Sequence, residues 1–379
     1  MRLTRRAAVL GLGGAMALGP AALALAAAPT ARRFVVVLLR GGLDGLAVVV
    51  PEHDPNLADW RAALLPAGLR PLGGGFGLHP ALAGLHLLYT QGDALVLHAV
   101  AGPDRSRSHF AAQDVLELGV SGIASGWLNR AAALLAVPAL AVGAGTPLLL
   151  RGPALVNSFV PAAPGHAPSD YYASVLALYR RDPLTGPALA HALAERGFSN
   201  SVLAGDALPP GHAGFPALAA AAGRLLAAAD GPRLAALELG GWDTHVRQVP
   251  RLAAALRPLD DGLLALRQGL GAAWSQTVVL VVTEFGRTVR ANGSGGTDHG
   301  TATVAFLLGG AVAGGRVAGH WPGLAPAHLF EHRDLQPTSD VRALAKGVLA
   351  QHLGLGAAAL AQVFPASAAA SPMAGLLRV

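Results

Sequence analysis

Short apolar runs rich in β-branched residues recur along the chain, and each is too short for a buried helix. Such runs are typical of strands that are covered on both faces of a sheet. Between them lie stretches with the spacing of apolar residues that helices have. This alternation predicts an α/β fold, a doubly wound and mostly parallel sheet with helices on both faces. The predicted strands are Phe34–Leu39, Ala94–Val100, Arg233–Leu239, Thr277–Val282 and Thr303–Leu308, and the predicted helices include Ala81–Gln91, Ala111–Leu118, Pro250–Leu270 and Ser339–Leu353.

Chemically active side chains follow the ends of four predicted strands. Ligands bind at the carboxyl ends of the strands in sheets of this kind, so we expect one functional site at that edge. A structural ion-pair network is the alternative, and Asp44 taken alone is equally well a turn residue or a helix N-cap. The four groups are Asp44, Ser106 to His109, Asp243 with His245, and Glu284 with Arg287; Asp298 and His299 precede the last strand on a loop that can fold back to the same edge.

The donor atoms in these groups suit a metal ion. They are carboxylate oxygens and imidazole nitrogens, and the chain contains no cysteine. Without thiolates, the set favours a hard or borderline divalent cation such as Zn, Mn, Mg or Ca. The residues predicted to bind the metal, or to support those that do, are Asp44, Asp243, His245, Glu284, Asp298 and His299.

Hydroxyl and guanidinium groups accompany these donors. Beside a divalent cation, the hydroxyl of Ser108, or else of Ser106, can ionise and attack phosphorus or sulfur. Arg287 can steady an anionic transition state. His109 is a further catalytic candidate. For His109 and His245 the alternative is a histidine that is hydrogen-bonded for structural reasons alone.

Composition narrows the range of partners. The chain has 379 residues, is 53% hydrophobic and carries a formal charge of +6. Its arginines are scattered and only 5% of its residues are aromatic, so we expect no nucleic-acid binding. The length allows one large domain or two modest ones. No convincing linker interrupts it, and the pattern favours a single domain over residues 29–379.

The N-terminus has the layout of an export signal. Thr4-Arg5-Arg6 is a twin-arginine signature, and the apolar run after it ends in the small residues Ala26-Ala27-Ala28. We therefore expect residues 1–28 to be a signal peptide recognised by the twin-arginine translocase. The mature protein is then periplasmic or otherwise exported, with no stable membrane span. A membrane anchor is the alternative, because the apolar run approaches spanning length.

The ordered motifs RGGLDG, SRSHF, GGWDTH, TEFGRT and TDHG, behind this leader, resemble the bacterial domain-of-unknown-function family 1501. That family is similar in turn to the alkaline phosphatase and sulfatase superfamily. The resemblance implies an alkaline phosphatase-like fold and metal-assisted hydrolysis of phosphate or sulfate esters. By motif position it also implies metal ligands at Asp44, Asp243, His245 and His299, and a nucleophile near Ser106 or Ser108.

Three functions remain open. The first is an exported, metal-dependent hydrolase that uses a serine nucleophile on an anionic phosphate or sulfate ester. The second is a non-catalytic envelope protein of the same fold that binds a glycan, a polymer or a protein. Phe285 supports it, because the superfamily usually has an Asp-His pair at this point and phenylalanine cannot bind a metal. The third is a serine hydrolase based on Ser108, which ranks last because no G-x-S-x-G motif surrounds that serine.

Overall fold

The computed structural model describes residues 30–143, 145–159, 175–179, 182, 185–203 and 214–378. The predicted signal peptide, residues 1–28, lies outside these ranges. Among the described residues, no helix combines the length and the apolar character needed to cross a membrane.

A large mixed sheet runs through the described part of the chain, and a small antiparallel one packs beside it. The strands of the large sheet are β1 (Arg33–Arg40), β5 (Ala94–Ala101), β6 (Ala139–Val142), β7 (Val156–Phe159), β8 (Leu234–Gly240), β9 (Thr277–Thr283), β10 (Thr303–Leu308), β11 (Arg316–Ala318) and β12 (Ser339–Asp340). The small sheet holds β2 (Val49–Pro51), β3 (Arg70–Gly73) and β4 (Phe76–Leu78).

The order of strands in the large sheet is β11-β5-β10-β9-β1-β8-β6-β7, and β12 also pairs with β5. Every pairing is parallel except those of β10, which runs antiparallel to both β5 and β9. The prediction of a mostly parallel α/β sheet is therefore confirmed. Because β10 is reversed, its first residue lies at the edge where β9 ends. The loop before β10 therefore lies at the carboxyl edge of the parallel strands.

Helices cover both faces of this sheet. Alternate residues of β1 enter two different cores, with Val35 and Val37 on one side and Phe34 and Val36 on the other. All four side chains are fully buried, as expected of a strand that is covered on both faces. The helices are α1 (Gly45–Val48), α2 (Leu57–Arg61), α3 (Ala83–Thr90), α4 (His109–Leu118), α5 (Trp127–Leu135), α6 (Thr185–Val202), α7 (Phe215–Ala227), α8 (Gln248–Leu270), α9 (Val341–Gln351) and α10 (Ala357–Val363), and residues 175–179 are also helical.

Several short strands are not predicted by the hydrophobic pattern. Strand β7 contains Asn157 and Ser158, and its residues do not form an apolar run. The small sheet is built from strands of three or four residues that include Pro51, Pro71 and glycines. Its pairing is specified by contacts that form only in the folded chain, because such short segments have little strand preference of their own.

Candidate metal centre

Side chains from three separate loops meet at the carboxyl edge of the large sheet. His109 begins α4 after β5, Asp243 follows β8, and His299 precedes β10. Ligand atoms of these three residues all lie within 4.8 Å of one another. His245, two residues after Asp243, places its Nε2 3.0 Å from Asp243 Oδ1 and 3.0 Å from His299 Nε2. We call these four residues, His109, Asp243, His245 and His299, the histidine cluster.

The ring of His109 is held so that one nitrogen faces the cluster. Its Nδ1 lies 2.8 Å from Glu284 Oε1. A carboxylate can only accept, so Nδ1 carries the proton and Nε2 carries a lone pair. That Nε2 is buried, has no hydrogen-bond partner and lies 3.6 Å from Asp243 Oδ2. A buried polar atom without a partner is uncommon in a folded protein, and this one points at the other donor atoms.

Glu284 is the anchor for that ring. Its carboxylate also accepts hydrogen bonds from the Gly41 amide, Gln113 and Thr283. Burial alone raises the pKa of this carboxyl, but the hydrogen bonds from Gln113, His109 and Thr283 outweigh it and lower the pKa below the usual value. Glu284 is therefore ionised. It supports His109 from behind and does not face the cluster.

The other two histidines are oriented in the same manner. His299 Nδ1 lies 2.9 Å from the carbonyl oxygen of Arg107, and His245 Nδ1 lies 3.1 Å from Asp298 Oδ1. Both partners are acceptors, so each Nδ1 is oriented to donate, and each Nε2 is directed at Asp243 Oδ1, at 3.0 Å from His245 and 3.3 Å from His299. Burial, together with the neighbouring His109, lowers the pKa of His299, which favours its neutral form. Three imidazole Nε2 atoms therefore converge on Asp243.

Asp243 is held in place by a buried arginine. Arg287 Nη1 donates to Asp243 Oδ1 at 2.6 Å, and the arginine side chain has no exposed surface. Burial raises the pKa of Asp243, but the hydrogen bond and charge of Arg287, with smaller contributions from His245 and His299, lower it below the usual value. The carboxylate is thus ionised, and it remains 45% exposed.

This geometry fits a single divalent cation. Two ligand atoms that each lie about 2.1 Å from one tetrahedral ion are about 3.4 Å apart. In the cluster, the Asp243 carboxylate oxygens lie 3.0 to 3.6 Å from the Nε2 atoms of the three histidines, and the Nε2 atoms of His245 and His299 are 3.0 Å apart. Two Nε2 lone pairs that face each other at 3.0 Å repel unless a proton or a cation lies between them. The hydrogen-bonded Nδ1 atoms complete the arrangement, because metal-binding histidines usually donate their other N–H to a protein acceptor.

The cluster opens to solvent. The side chains of His109 and His299 are each 26% exposed, and that of His245 is 38% exposed. Structural zinc sites are closed by four protein ligands, whereas catalytic sites keep a coordination position that a small molecule can reach. The exposure favours the second kind of site.

Phe285 forms the apolar wall of this site. Its ring centroid lies 4.8 Å from that of His109 and 4.9 Å from that of His299. The side chain is 4% exposed. Gly42 makes room for it, since a Cβ on that residue would lie 2.6 Å from the Phe285 ring. Phe285 thus packs both imidazoles in place.

Asp44 does not join the cluster. Its carboxylate is 1% exposed, forms two bonds with Arg61 at 2.8 and 3.0 Å and accepts a third from Gln248. It also caps α1 through the amide of Ala47. An N-cap is one of the roles that the sequence allows for Asp44, and the structure shows that role together with a buried ion pair. Its oxygens bind Arg61 and Gln248 and are not among the donor atoms that lie close together in the histidine cluster.

The two serines lie on the exposed loop before α4. The Ser106 hydroxyl donates to Asp104 Oδ1 at 2.6 Å, which occupies its hydrogen atom. Ser108 is exposed and directly precedes His109. Of the two candidate nucleophiles, Ser108 is therefore the one whose side chain is adjacent to the cluster in sequence and open to solvent.

Arg287 and Asp298 support the cluster from outside. Arg287 binds Asp243 and both the hydroxyl and the carbonyl of Thr297, so its guanidinium lies beneath Asp243 and does not face solvent. This placement differs from the predicted contact with an anionic substrate. Hydrogen bonds from Asn292 and from His245 lower the pKa of Asp298. The Asp298 carboxylate accepts from His245 Nδ1 and thereby orients the His245 ring.

Sequence reasoning missed several supporting groups. Gln113 and Asn292 hold the carboxylates that orient two of the histidines, and the acceptor for the third is the main-chain carbonyl of Arg107. A carbonyl leaves no signal in the sequence. The TDHG motif contains Thr297, but nothing in the motif indicates that the Thr297 hydroxyl contacts Arg287.

The comparisons with known proteins give a family and several distant structures. The family described as "Protein of unknown function (DUF1501)" matches residues 97–364. No curated protein matches the chain. Three solved structures are similar at 12% identity. A protein in the alkaline phosphatase superfamily from Vibrio parahaemolyticus matches with a TM-score of 0.32 over 73% of this chain and 60% of its own, and Ps i-CgsB matches with a TM-score of 0.39 over 90% of this chain and 77% of its own. A TAB5 alkaline phosphatase mutant with Mg bound matches with a TM-score of 0.36 over 73% of this chain and 91% of its own. The chain thus spans less than two thirds of the first of these proteins. At TM-scores below 0.5, none of them bears on the chemistry of this site.

Proposed function

The chain belongs to the DUF1501 family, as its motifs predict, and from this premise we propose that it is an exported, metal-dependent hydrolase of phosphate or sulfate esters. The observation that carries the proposal is the buried Nε2 of His109, which has no partner and faces Asp243. Together with His245, His299 and Asp243, it makes a set of three imidazoles and one carboxylate at the solvent-exposed edge of the sheet.

The metal in this proposal is a borderline cation, and zinc is the first candidate. Three imidazole donors suit Zn better than Mg or Ca, which prefer oxygen ligands throughout. Mn is the second candidate. When bound, the ion supplies positive charge that favours ionisation of a nearby hydroxyl and stabilises negative charge that develops on the ester. Glu284, Asp298 and the Arg107 carbonyl accept from the three Nδ1 atoms, which orients each ring with its Nε2 toward the ion.

Ser108 is the proposed nucleophile. Its exposed position beside His109 places its hydroxyl on the loop that borders the histidine cluster. Ser106 is the matched control, because it lies on the same loop but donates its hydroxyl hydrogen to Asp104. In this proposal the anionic ester approaches from solvent over the exposed side of Asp243.

The test is turnover of an aryl phosphate and an aryl sulfate by the purified mature protein, before and after treatment with a chelator. We expect chelation to abolish hydrolysis and added Zn or Mn to restore it. Ser108→Ala then loses activity while keeping its metal, and Ser106→Ala stays within about threefold of the parent. Hydrolysis that survives complete removal of the metal refutes the metal-dependent mechanism. Equal loss in both serine variants refutes the choice of Ser108.

A binding protein without catalysis is the second candidate. Two observations favour it. Arg287 is buried beneath Asp243 and does not face solvent, where a substrate would bind, and the Ser106 hydroxyl donates its hydrogen to Asp104. Stoichiometric metal in a protein that turns over neither ester is the result that this candidate predicts.

Export is the remaining part of the proposal. The motif Thr4-Arg5-Arg6 and the apolar run after it support recognition by the twin-arginine translocase. In a bacterial host, replacing Arg5 and Arg6 with lysine should leave the full-length chain in the cytoplasm. Unchanged recovery of the variant from the periplasm contradicts this route.

A further inference from the structure

We propose that Thr297 is a positioning residue for the metal centre. Its hydroxyl connects Arg287, and through it Asp243, to a fully buried hydrogen-bond network that ends on the ion pair of Asp44 with Arg61. The inference rests on the proposed metal site, because the quantity that Thr297 controls is the placement of a ligand carboxylate.

The direction of each hydrogen bond in the network is fixed. Arg287 Nε can only donate, and its acceptor is Thr297 Oγ1 at 3.2 Å. The hydroxyl hydrogen of Thr297 is therefore free to be donated to Gln248 Oε1 at 2.6 Å. The same oxygen accepts from Thr244 Oγ1 at 2.9 Å. With its oxygen committed to two hydroxyls, Gln248 directs its amide nitrogen to Asp44 Oδ2, 2.5 Å away.

The far end of the network is rigid. Asp44 and Arg61 form a two-bonded ion pair in which both side chains are at most 1% exposed. Gln248, Thr244 and Thr297 have no exposed surface. Buried polar groups that are all paired have few alternative arrangements, since any change leaves a donor or acceptor without a partner. The network therefore offers Arg287 a fixed support.

That support sets where Asp243 lies. Thr297 holds the guanidinium of Arg287 at two points, through its hydroxyl to Nε and through its carbonyl to Nη2. With these two points fixed, the planar group directs Nη1 at Asp243 Oδ1, 2.6 Å away. Without the Thr297 hydroxyl, Nε–H is a buried donor that lacks an acceptor, and the guanidinium pivots about the remaining carbonyl bond. The carboxylate that it holds then shifts relative to the three Nε2 atoms.

The chain offers a matched pair of variants for a test. Thr297→Val and Thr244→Val each remove a buried hydroxyl that donates to Gln248 Oε1, but only Thr297 contacts Arg287. The measurement is the Kd of Zn²⁺ for each chelator-treated variant, by competition with a chromogenic chelator, beside the free energy of unfolding without metal. We expect Thr297→Val to weaken zinc binding about 10- to 100-fold, the range found for residues that support metal ligands. Thr244→Val stays within about threefold of the parent, and Thr297→Ser restores tight binding.

The outcomes separate this inference from the proposed function. A parent protein that binds no zinc refutes the metal site itself. A parent that binds zinc, with equal zinc affinities in the two valine variants, overturns the positioning role, whatever their stabilities. If a valine variant does not fold, Thr297→Ala and Thr244→Ala give the same comparison with less crowding, and the same readings apply.

Discussion

Glu284→Gln isolates the contribution of one negative charge to the metal centre. The Oε1 atom of Glu284 accepts from Gly41 N at 2.8 Å, from His109 Nδ1 at 2.8 Å and from Gln113 Nε2 at 2.9 Å. A glutamine of the same shape can keep its oxygen toward these three donors and turn its amide nitrogen to the Thr283 hydroxyl. His109 then keeps its orientation but loses the ionised acceptor behind it.

The expected size of the effect follows from this arrangement. Carboxylates that accept from a metal-binding histidine raise its basicity, and their loss typically costs 10- to 100-fold in metal affinity. We expect Glu284→Gln to fall toward the lower end, about tenfold or 1.4 kcal/mol, because the hydrogen bond to His109 survives. The Kd of Zn²⁺, measured by chelator competition at pH 7.5, gives the value.

Asp260→Asn is the control for this experiment. Asp260 is also a buried carboxylate, and it accepts from the amides of Gly84 and Leu85 at 2.8 Å each, but it is not part of the histidine cluster. We expect a change in its urea unfolding curve and no change in zinc affinity. An unaltered Kd in Glu284→Gln, or an equal loss in Asp260→Asn, would refute the reasoning.

Three further outcomes are expected. Burial lowers the pKa of His98 to about 4 from 6.5, so below pH 6.5 the unfolded chain binds a proton that the folded chain does not. The contribution of His98 to the free energy of unfolding is therefore present above pH 6.5, and it falls by about 2 kcal/mol between pH 7 and pH 5. In urea titrations, the stability of His98→Gln should depend less on pH over this range. Arg61→Ala leaves the Asp44 carboxylate buried without its counter-charge and should cost about 3–5 kcal/mol in the same titration, and a loss below 1 kcal/mol contradicts the buried ion pair. Zinc at 100 times its Kd stabilises the folded state by about 2.7 kcal/mol, which for a chain of this size raises Tm by about 4 °C. An unchanged Tm at this zinc concentration argues against binding to the folded state.

Much of the scaffold is readable from the sequence for a physical reason. The runs at Phe34–Leu39 and Thr277–Val282 are apolar throughout because they become β1 and β9, neighbours that are buried on both faces. The polar residues that follow such strands lie at a common edge, because parallel strands end on the same side of the sheet. This reasoning alone places Asp243, His245 and Glu284 close together, as the structure does.

The limits of the sequence are equally physical. Asp44 follows the first strand as predicted, but its partner Arg61 comes from a short helix whose position depends on tertiary packing. The reversal of β10, which brings His299 to the cluster, is a matter of strand pairing and not of local pattern. Glu284 supports His109 and is not placed as a metal ligand, because Asp243, and not Glu284, is the carboxylate at the open side of the site. Only the folded structure specifies that arrangement.

Metal content tests the central claim most directly. The mature protein and its Asp243→Ala variant are purified in parallel from medium with trace zinc and manganese, and the metal per chain is measured by plasma mass spectrometry beside a circular dichroism spectrum. The account predicts about one ion per chain in the parent and almost none in a variant that keeps the same spectrum. An equal metal content in the two folded proteins would contradict it.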